Sequence, residues 1–165
     1  MSIQSNHPNK VVAQNRDHLE MLIQDTMKKQ GPNCDLNFID VSNITEMSDL
    51  FTDLPSLSEY APIEINRSDF NGDISRWDVS NVKNMQGMFN GSQFDGDISK
   101  WDVSKVRCMR WMFLNSSFKG DLSNWNVSNV ETMEEMFAGS ALENLGKIPK
   151  WYKEKEEFKK RAQIV

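Results

Sequence analysis

Acidic side chains recur in this sequence at a spacing suited to chemistry. Asp73, Asp97 and Asp121 stand 24 residues apart, so a backbone that repeated with that period would line them up as a ladder of carboxylates. Paired carboxylates at close range can divide acid and base roles, and a cluster of them can hold a hard cation. Each of the three follows a glycine, however, and Asp after Gly is turn chemistry, its oxygens accepting hydrogen bonds from backbone N–H groups just ahead. The ladder therefore reads as structural, and neither a metal nor a cofactor is expected. His7 and His18 lack a Ser or Cys partner in a recognisable motif, so no activated nucleophile can be assembled. Cys34 and Cys108 are too few for a disulfide framework and have no zinc-type spacing with the histidines, which makes reduced thiols the expectation. No glycine loop of phosphate-cradling type is present. The expectation is a protein that is not an enzyme. An enzyme of unrecognised kind is the alternative, and its first sign would be a deep pocket joining acids from several repeats.

The elements that would position such residues follow from self-similarity. Phe70, Phe94 and Phe118 are spaced by 24, and so are Trp77, Trp101 and Trp125, Met85, Met109 and Met133, Met88, Met112 and Met136, and Phe89, Phe113 and Phe137. Each copy reads Phe-x-Gly-Asp-(Ile/Leu)-Ser-x-Trp-(Asp/Asn)-Val-Ser-x-Val-x-x-Met-x-x-Met-Phe. A degenerate earlier copy carries Ile39 in the Trp column, with Val41, Ile44, Met47, Leu50 and Phe51 in register. The following copy is displaced by 38 rather than 24, so 14 extra residues form an insertion loop within 52–69, which contains Pro55 and Pro62. Leu142 takes the next Phe column, after which the pattern fades.

A unit this small cannot bury its own aromatic and Met residues, but stacked units can bury them together. The expected fold is an α/β solenoid of leucine-rich-repeat type, with about 24 residues per repeat. Each repeat would hold one short strand ending near Trp77 and Val79 and one short helix. That helix is expected because Val82, Met85 and Phe89 fall at i, i+3 and i+7, with Ser80, Ser104 and Ser128 as N-caps and Glu131 completing a capping box. The domain reading is a polar segment over 1–16, a capping helix over 17–34 whose Leu19, Leu22, Ile23 and Met27 share a face, a solenoid over 35–142, and a C-terminal cap or helix over 143–165.

The repeat Trp77-Asp78-Val79-Ser80-Asn81-Val82, followed by Met85, Met88 and Phe89 and recurring from Trp101 and Trp125, resembles the BspA-like bacterial leucine-rich-repeat surface-protein family. The variant in question is built on Trp-Asp-x-Ser-Asn-Val-x-x-Met-x-x-Met-Phe. The resemblance covers roughly 35–142, and the opening around Gly31-Pro32-Asn33-Cys34-Asp35-Leu36 is similar too. Lys105 and Asn126 depart from the motif at turn positions. The resemblance implies a place at the cell surface or in a lipoprotein, and it implies no activity, because the motif consists of core and turn residues.

Charge and composition narrow the partners. A formal charge of −5 gives no general attraction to nucleic acid. No apolar run is long enough for membrane insertion, and the polar start lacks a signal-type apolar stretch, so a cytoplasmic protein is expected if Met1 is the native start. Ten methionines would suit an adaptable binding groove, but their strict period assigns those in the columns to the core.

Residues that break the repeat are the ones left to explain. Trp111 is placed about 170° from the buried face of its expected helix, in a column that holds Gly87 and Glu135 in the neighbouring copies. On that helix Arg107 lies one turn earlier and would stack on the ring, and Arg110 flanks it. Such a group has the composition of an interface hot spot. The alternative is that Trp111 packs on the insertion loop or a terminal cap. Glu131, Glu134 and Glu135 replace Arg107, Arg110 and Trp111 in the next copy, either as pairs between stacked turns or as a strip that steers a charged partner. The candidate partner surface is therefore Trp111, Arg107, Arg110, Glu131, Glu134 and Glu135. The expected function is a non-catalytic protein-interaction module, such as an intracellular binder or inhibitor of a bacterial or phage target. The alternative is a self-associating homo-oligomer or an adhesin-like repeat protein of the cell surface.

Overall fold

The computed structural model describes residues 10–52 and 65–162. Its elements are β1 (Val11–Val12), α1 (Arg16–Gln30), β2 (Ile39–Asp40), a 3-10 turn (Arg67–Asp69), α2 (Ala141–Asn144) and α3 (Lys150–Ala162). Residues 53–64 of the insertion loop lie outside the described residues.

Between the 3-10 turn and α2 the chain makes neither helix nor named strand, and its copies are joined directly to one another. Parallel bridges link Glu46 to Asn84, Asn84 to Cys108 and Cys108 to Thr132. From each bridge the backbone N–H groups donate to the following copy: Met85 to Cys108 O at 2.9 Å, Phe89 to Met112 O at 2.9 Å, Met109 to Thr132 O at 2.8 Å and Phe113 to Met136 O at 2.9 Å. The same groups in a helix would bond within their own copy. The short helix expected over 82–89 is therefore not formed. Its apolar pattern is met instead by a bridge and turns that still turn Val82, Met85, Met88 and Phe89 inward, all at 0% exposure. The backbone also forbids a helix here, because every copy places a left-handed residue within the segment: Asp49 (φ 53°), Gly87 (φ 60°), Trp111 (φ 57°) and Glu135 (φ 52°).

Ser80, Ser104 and Ser128 accordingly cap no helix. Their N–H groups donate to the preceding side chains Asp78, Asp102 and Asn126 at 3.1, 3.0 and 3.2 Å. The Asp ladder behaves alike: Asp73, Asp97 and Asp121 each accept from the Ser two residues on, at 2.9 Å. Both sets are Asx turns, which hold the corners of each copy.

Aromatic rings fill the interior in two columns. Phe51, Phe89, Phe113 and Phe137 stack with centroids 5.5, 5.5 and 5.6 Å apart, while Phe70, Phe94 and Phe118 follow at 5.9 and 6.2 Å. Each Trp joins the copy before it, its indole N–H donating to Leu36 O from Trp77 (2.9 Å), to Ile74 O from Trp101 (3.2 Å) and to Ile98 O from Trp125 (3.1 Å). These bonds satisfy the one polar atom of a side chain that is otherwise 4–5% exposed.

Both ends are covered. At the start, α1 buries Leu19, Ile23 and Met27, is capped by Asn15, and stops at Gly31 (φ 83°). Its Arg16 guanidinium donates to Ser48 O at 2.7 Å, where a preceding copy would have supplied a backbone N–H. Arg67, only 7% exposed, pairs with Glu20 of α1 at 2.8 Å and fixes the end of the insertion to this cap. β1 pairs in parallel with β2, so part of the polar opening segment is a strand that composition did not reveal. At the other end Ser140 accepts from Glu143 N and starts α2. Then α3 presents Trp151, whose indole donates to Leu122 O at 2.8 Å, as a further copy's Trp would. Tyr152 closes edge-on over Phe137 at 5.1 Å. Among the described residues, no helix is long and apolar enough to cross a membrane.

Candidate functional site

The outward face beside the left-handed column gathers the residues singled out by their departure from the repeat. Trp111 is half-buried, whereas Trp77, Trp101 and Trp125 are buried. Its ring lies under the Arg110 guanidinium, 4.8 Å from the ring centroid. Arg107 was expected in that place on helical spacing. With no helix, three and four residues no longer separate neighbours on one stripe, and Arg107 turns instead to Glu131, Nη1 to Oε1 at 3.1 Å. Among the described residues the Trp111 ring meets no other aromatic ring of the core or of the caps.

The acidic strip is paired to the basic one across adjacent copies. Arg110 Nε lies 3.3 Å from Glu134, whose other oxygen is 3.5 Å from Lys159 of α3. These contacts hold the Glu134 carboxyl below its ordinary range: its own backbone N–H does most, and Lys159 and Arg110 add to it. Glu135 stands exposed at φ 52°, in line with Trp111. The Arg107–Glu131 pair is about two-thirds exposed on both sides, and such pairs contribute under about 1 kcal/mol. The face is thus an aromatic platform inside a charge-balanced frame, suited to contact by shape and ring surface more than to steering by net charge.

A family model described as "Mycoplasma protein of unknown function, DUF285" matches residues 18–151. The chain belongs to this family. The match runs from α1 to the start of α3, so in this DUF285 protein the stacked copies and the residues that begin both caps fall within the family's own unit. Membership agrees with the BspA-like resemblance of the repeat. No curated protein and no solved structure matches the chain.

Other chemistry in the DUF285 chain is sparse. Among the described residues no three His, Cys, Asp or Glu side chains gather as a metal site would require. Asp73, Asp97 and Asp121 are tied to turn N–H groups, and their carboxyls are held below the usual value of 3.8. Burial raises Asp73, but the neighbouring Asn37 amide and the hydrogen bond from Ser75 outweigh it. The Cys34 thiol is pushed up to about 11 by burial, which leaves it a poor nucleophile.

A second concave region was not singled out from the sequence. Trp125, Val127 and Val130 of the last copy and Trp151, Lys155 and Phe158 of α3 enclose an open groove of about 680 Å³. The signal for it was Trp151, which follows Trp125 by 26 residues rather than 24 and so sits just off the period.

Proposed function

We propose that the chain is a non-catalytic protein-interaction module built as a short solenoid, with the Trp111 face as its contact surface. The observation that supports this reading most is Trp111 itself. A bulky residue in the left-handed region costs about 1–2 kcal/mol, and a position that keeps one against that cost is a candidate for function rather than folding. The adjoining Arg110 and the half-exposed ring supply the aromatic and guanidinium pairing typical of interface anchors. Assignment of the solenoid to the leucine-rich-repeat class is supported by its 24-residue copies and their parallel bridges, while the absence of a helix in each copy sets it apart from the usual form.

The test is affinity capture from the host's lysate with wild type and Trp111→Ala in parallel. A specific protein held by wild type and lost with the variant, while both unfold at similar denaturant concentrations, supports the proposal. A variant that unfolds much earlier would move Trp111 into the core, and equal capture by both proteins would remove the Trp111 face from the interaction.

A further inference from the structure

We infer that the groove between the last copy and α3 is a docking site for an extended acidic segment of a partner protein, which adds itself as the next turn of the stack. The inference deepens the interaction reading but rests on a different surface. Its basis is what fills the equivalent place in every earlier copy.

The floor is incomplete. Val79, Val82, Val103 and Val106 are 0–1% exposed because a following turn covers them, whereas Val127 and Val130 rise to 6% and 7%. The backbone is incomplete in the same place. Lys83 N donates to Thr45 O, Arg107 N to Lys83 O and Glu131 N to Arg107 O, each at 2.8 Å. The carbonyl of Glu131 has no such donor among the described residues. Asn81 reaches Ser42 O at 2.9 Å and Asn129 reaches Ser104 O at 2.7 Å, but nothing described reaches Ser128 O. Outside the groove, along the stretch that α3 meets with Tyr152 and Lys159, the N–H groups of Met133, Glu135 and Phe137 also lack the acceptors that Met109, Trp111 and Phe113 find in the next copy. An extended chain can satisfy such an edge with its own backbone.

α3 fills only part of the gap. Trp151 supplies the missing indole, and Lys155 Nζ donates to Val130 O at 3.1 Å, close to where the next turn's donors would lie. Phe158 borders the groove with 74% of its surface exposed. Lys155 has no carboxylate partner among the described residues, and burial with the neighbouring Lys159 holds its ammonium below its usual value. Glu154, at the same groove, is paired with Lys150, so Lys155 is the lining charge left for an incoming carboxylate to pair with, which is why the segment is assigned acidic character. Its apolar side chains should lie three residues apart, as Val103 and Val106 do.

The probe is a fluorescently labelled heptapeptide with blocked ends that copies residues 126–132, Asn-Val-Ser-Asn-Val-Glu-Thr, and leaves out the Trp whose place Trp151 already fills. Titrated with the full chain and followed by anisotropy, it should bind saturably. Phe158→Glu and, independently, Lys155→Glu should each weaken binding about tenfold or more, while Trp111→Ala leaves it unchanged. Because Phe158 is largely exposed, its replacement leaves the fold intact. Absence of saturation, equal binding of a peptide with both valines changed to Asp, or indifference to both groove variants would overturn the inference without touching the Trp111 reading. A mass in light scattering that rises with concentration and reverts in Phe158→Glu would also overturn it, by making a second copy of the chain the occupant.

Discussion

One column of the backbone predicts opposite outcomes for two changes that look like minor swaps. Glu135 and Gly87 occupy equivalent places in two copies, at φ 52° and φ 60°. A residue with a Cβ pays about 1–2 kcal/mol in this region, and glycine gives back about 0.5–1 kcal/mol through the greater freedom it loses on folding. Glu135 is exposed, so Glu135→Gly should stabilise the fold by a net of about 0.5–1 kcal/mol. Gly87→Ala reverses the backbone terms and adds a collision, because a Cβ there would lie 2.1 Å from Asp49 Oδ1. The Asp49 carboxylate is the free end of a half-buried side chain and can swing aside at about 0.5–1 kcal/mol, giving a total loss of about 1–2 kcal/mol. Urea unfolding followed by Trp fluorescence reads both. With a slope of about 2 kcal/mol/M, the Glu135→Gly midpoint should rise by about 0.3–0.5 M and that of Gly87→Ala should fall by about 0.5–1 M. Unchanged slopes are required for the comparison. A destabilised Glu135→Gly, or a Gly87→Ala within about 0.5 kcal/mol of wild type, would refute the claim that this column is held left-handed.

Further outcomes follow from the core and the corners. Phe113 is fully buried and stacks on Phe89, Phe118 and Phe137 at 5.5, 4.7 and 5.6 Å, so Phe113→Ala should cost about 3–5 kcal/mol in the same assay. A loss under about 1 kcal/mol would mean that the copies do not depend on the ring column. The carboxyls of Asp97, Asp102 and Asp121 are held below 3.8 by hydrogen bonds from Ser99, Ser104 and Ser123. Folded values lower than unfolded ones contribute stability that is present above pH 3.8 and lost as the pH falls through the folded values. Unfolding midpoints should therefore drop between about pH 5 and pH 3, and Asp97→Asn should flatten part of that fall, since Asn126 already makes the same turn. A steeper fall in Asp97→Asn would count against this origin.

The sequence carried the interior well and the backbone path poorly. Side chains recurring every 24 residues became the ring columns, because a column needs only identity and spacing. The helix expected from Val82, Met85 and Phe89 failed because inward placement at those positions can be met by turns as well as by a helical face. Gly87 in mid-segment, with Gly91, Asn115 and Gly139 in a second left-handed column, was the contrary signal, and its weight was visible in the sequence. The stacking partner of Trp111 changed from Arg107 to Arg110 for the same reason, since neighbour relations on a helix do not survive its loss. β1 was hidden because two valines in a polar stretch show no period, and its pairing with Ile39 and Asp40 is a long-range fact. The groove was hidden because it depends on how α3 lies across the last copy, which no local pattern encodes.

The cap at the far end is attached by a rule, and the rule ignores how many copies come before it. Trp151 reads one carbonyl, that of Leu122, in the same way that every internal Trp reads its predecessor. Excising one internal copy, or inserting another before the last, would present α3 with an identical landing point. The length of this protein is in that sense an adjustable quantity, a ruler marked in equal divisions whose end pieces fit at any mark.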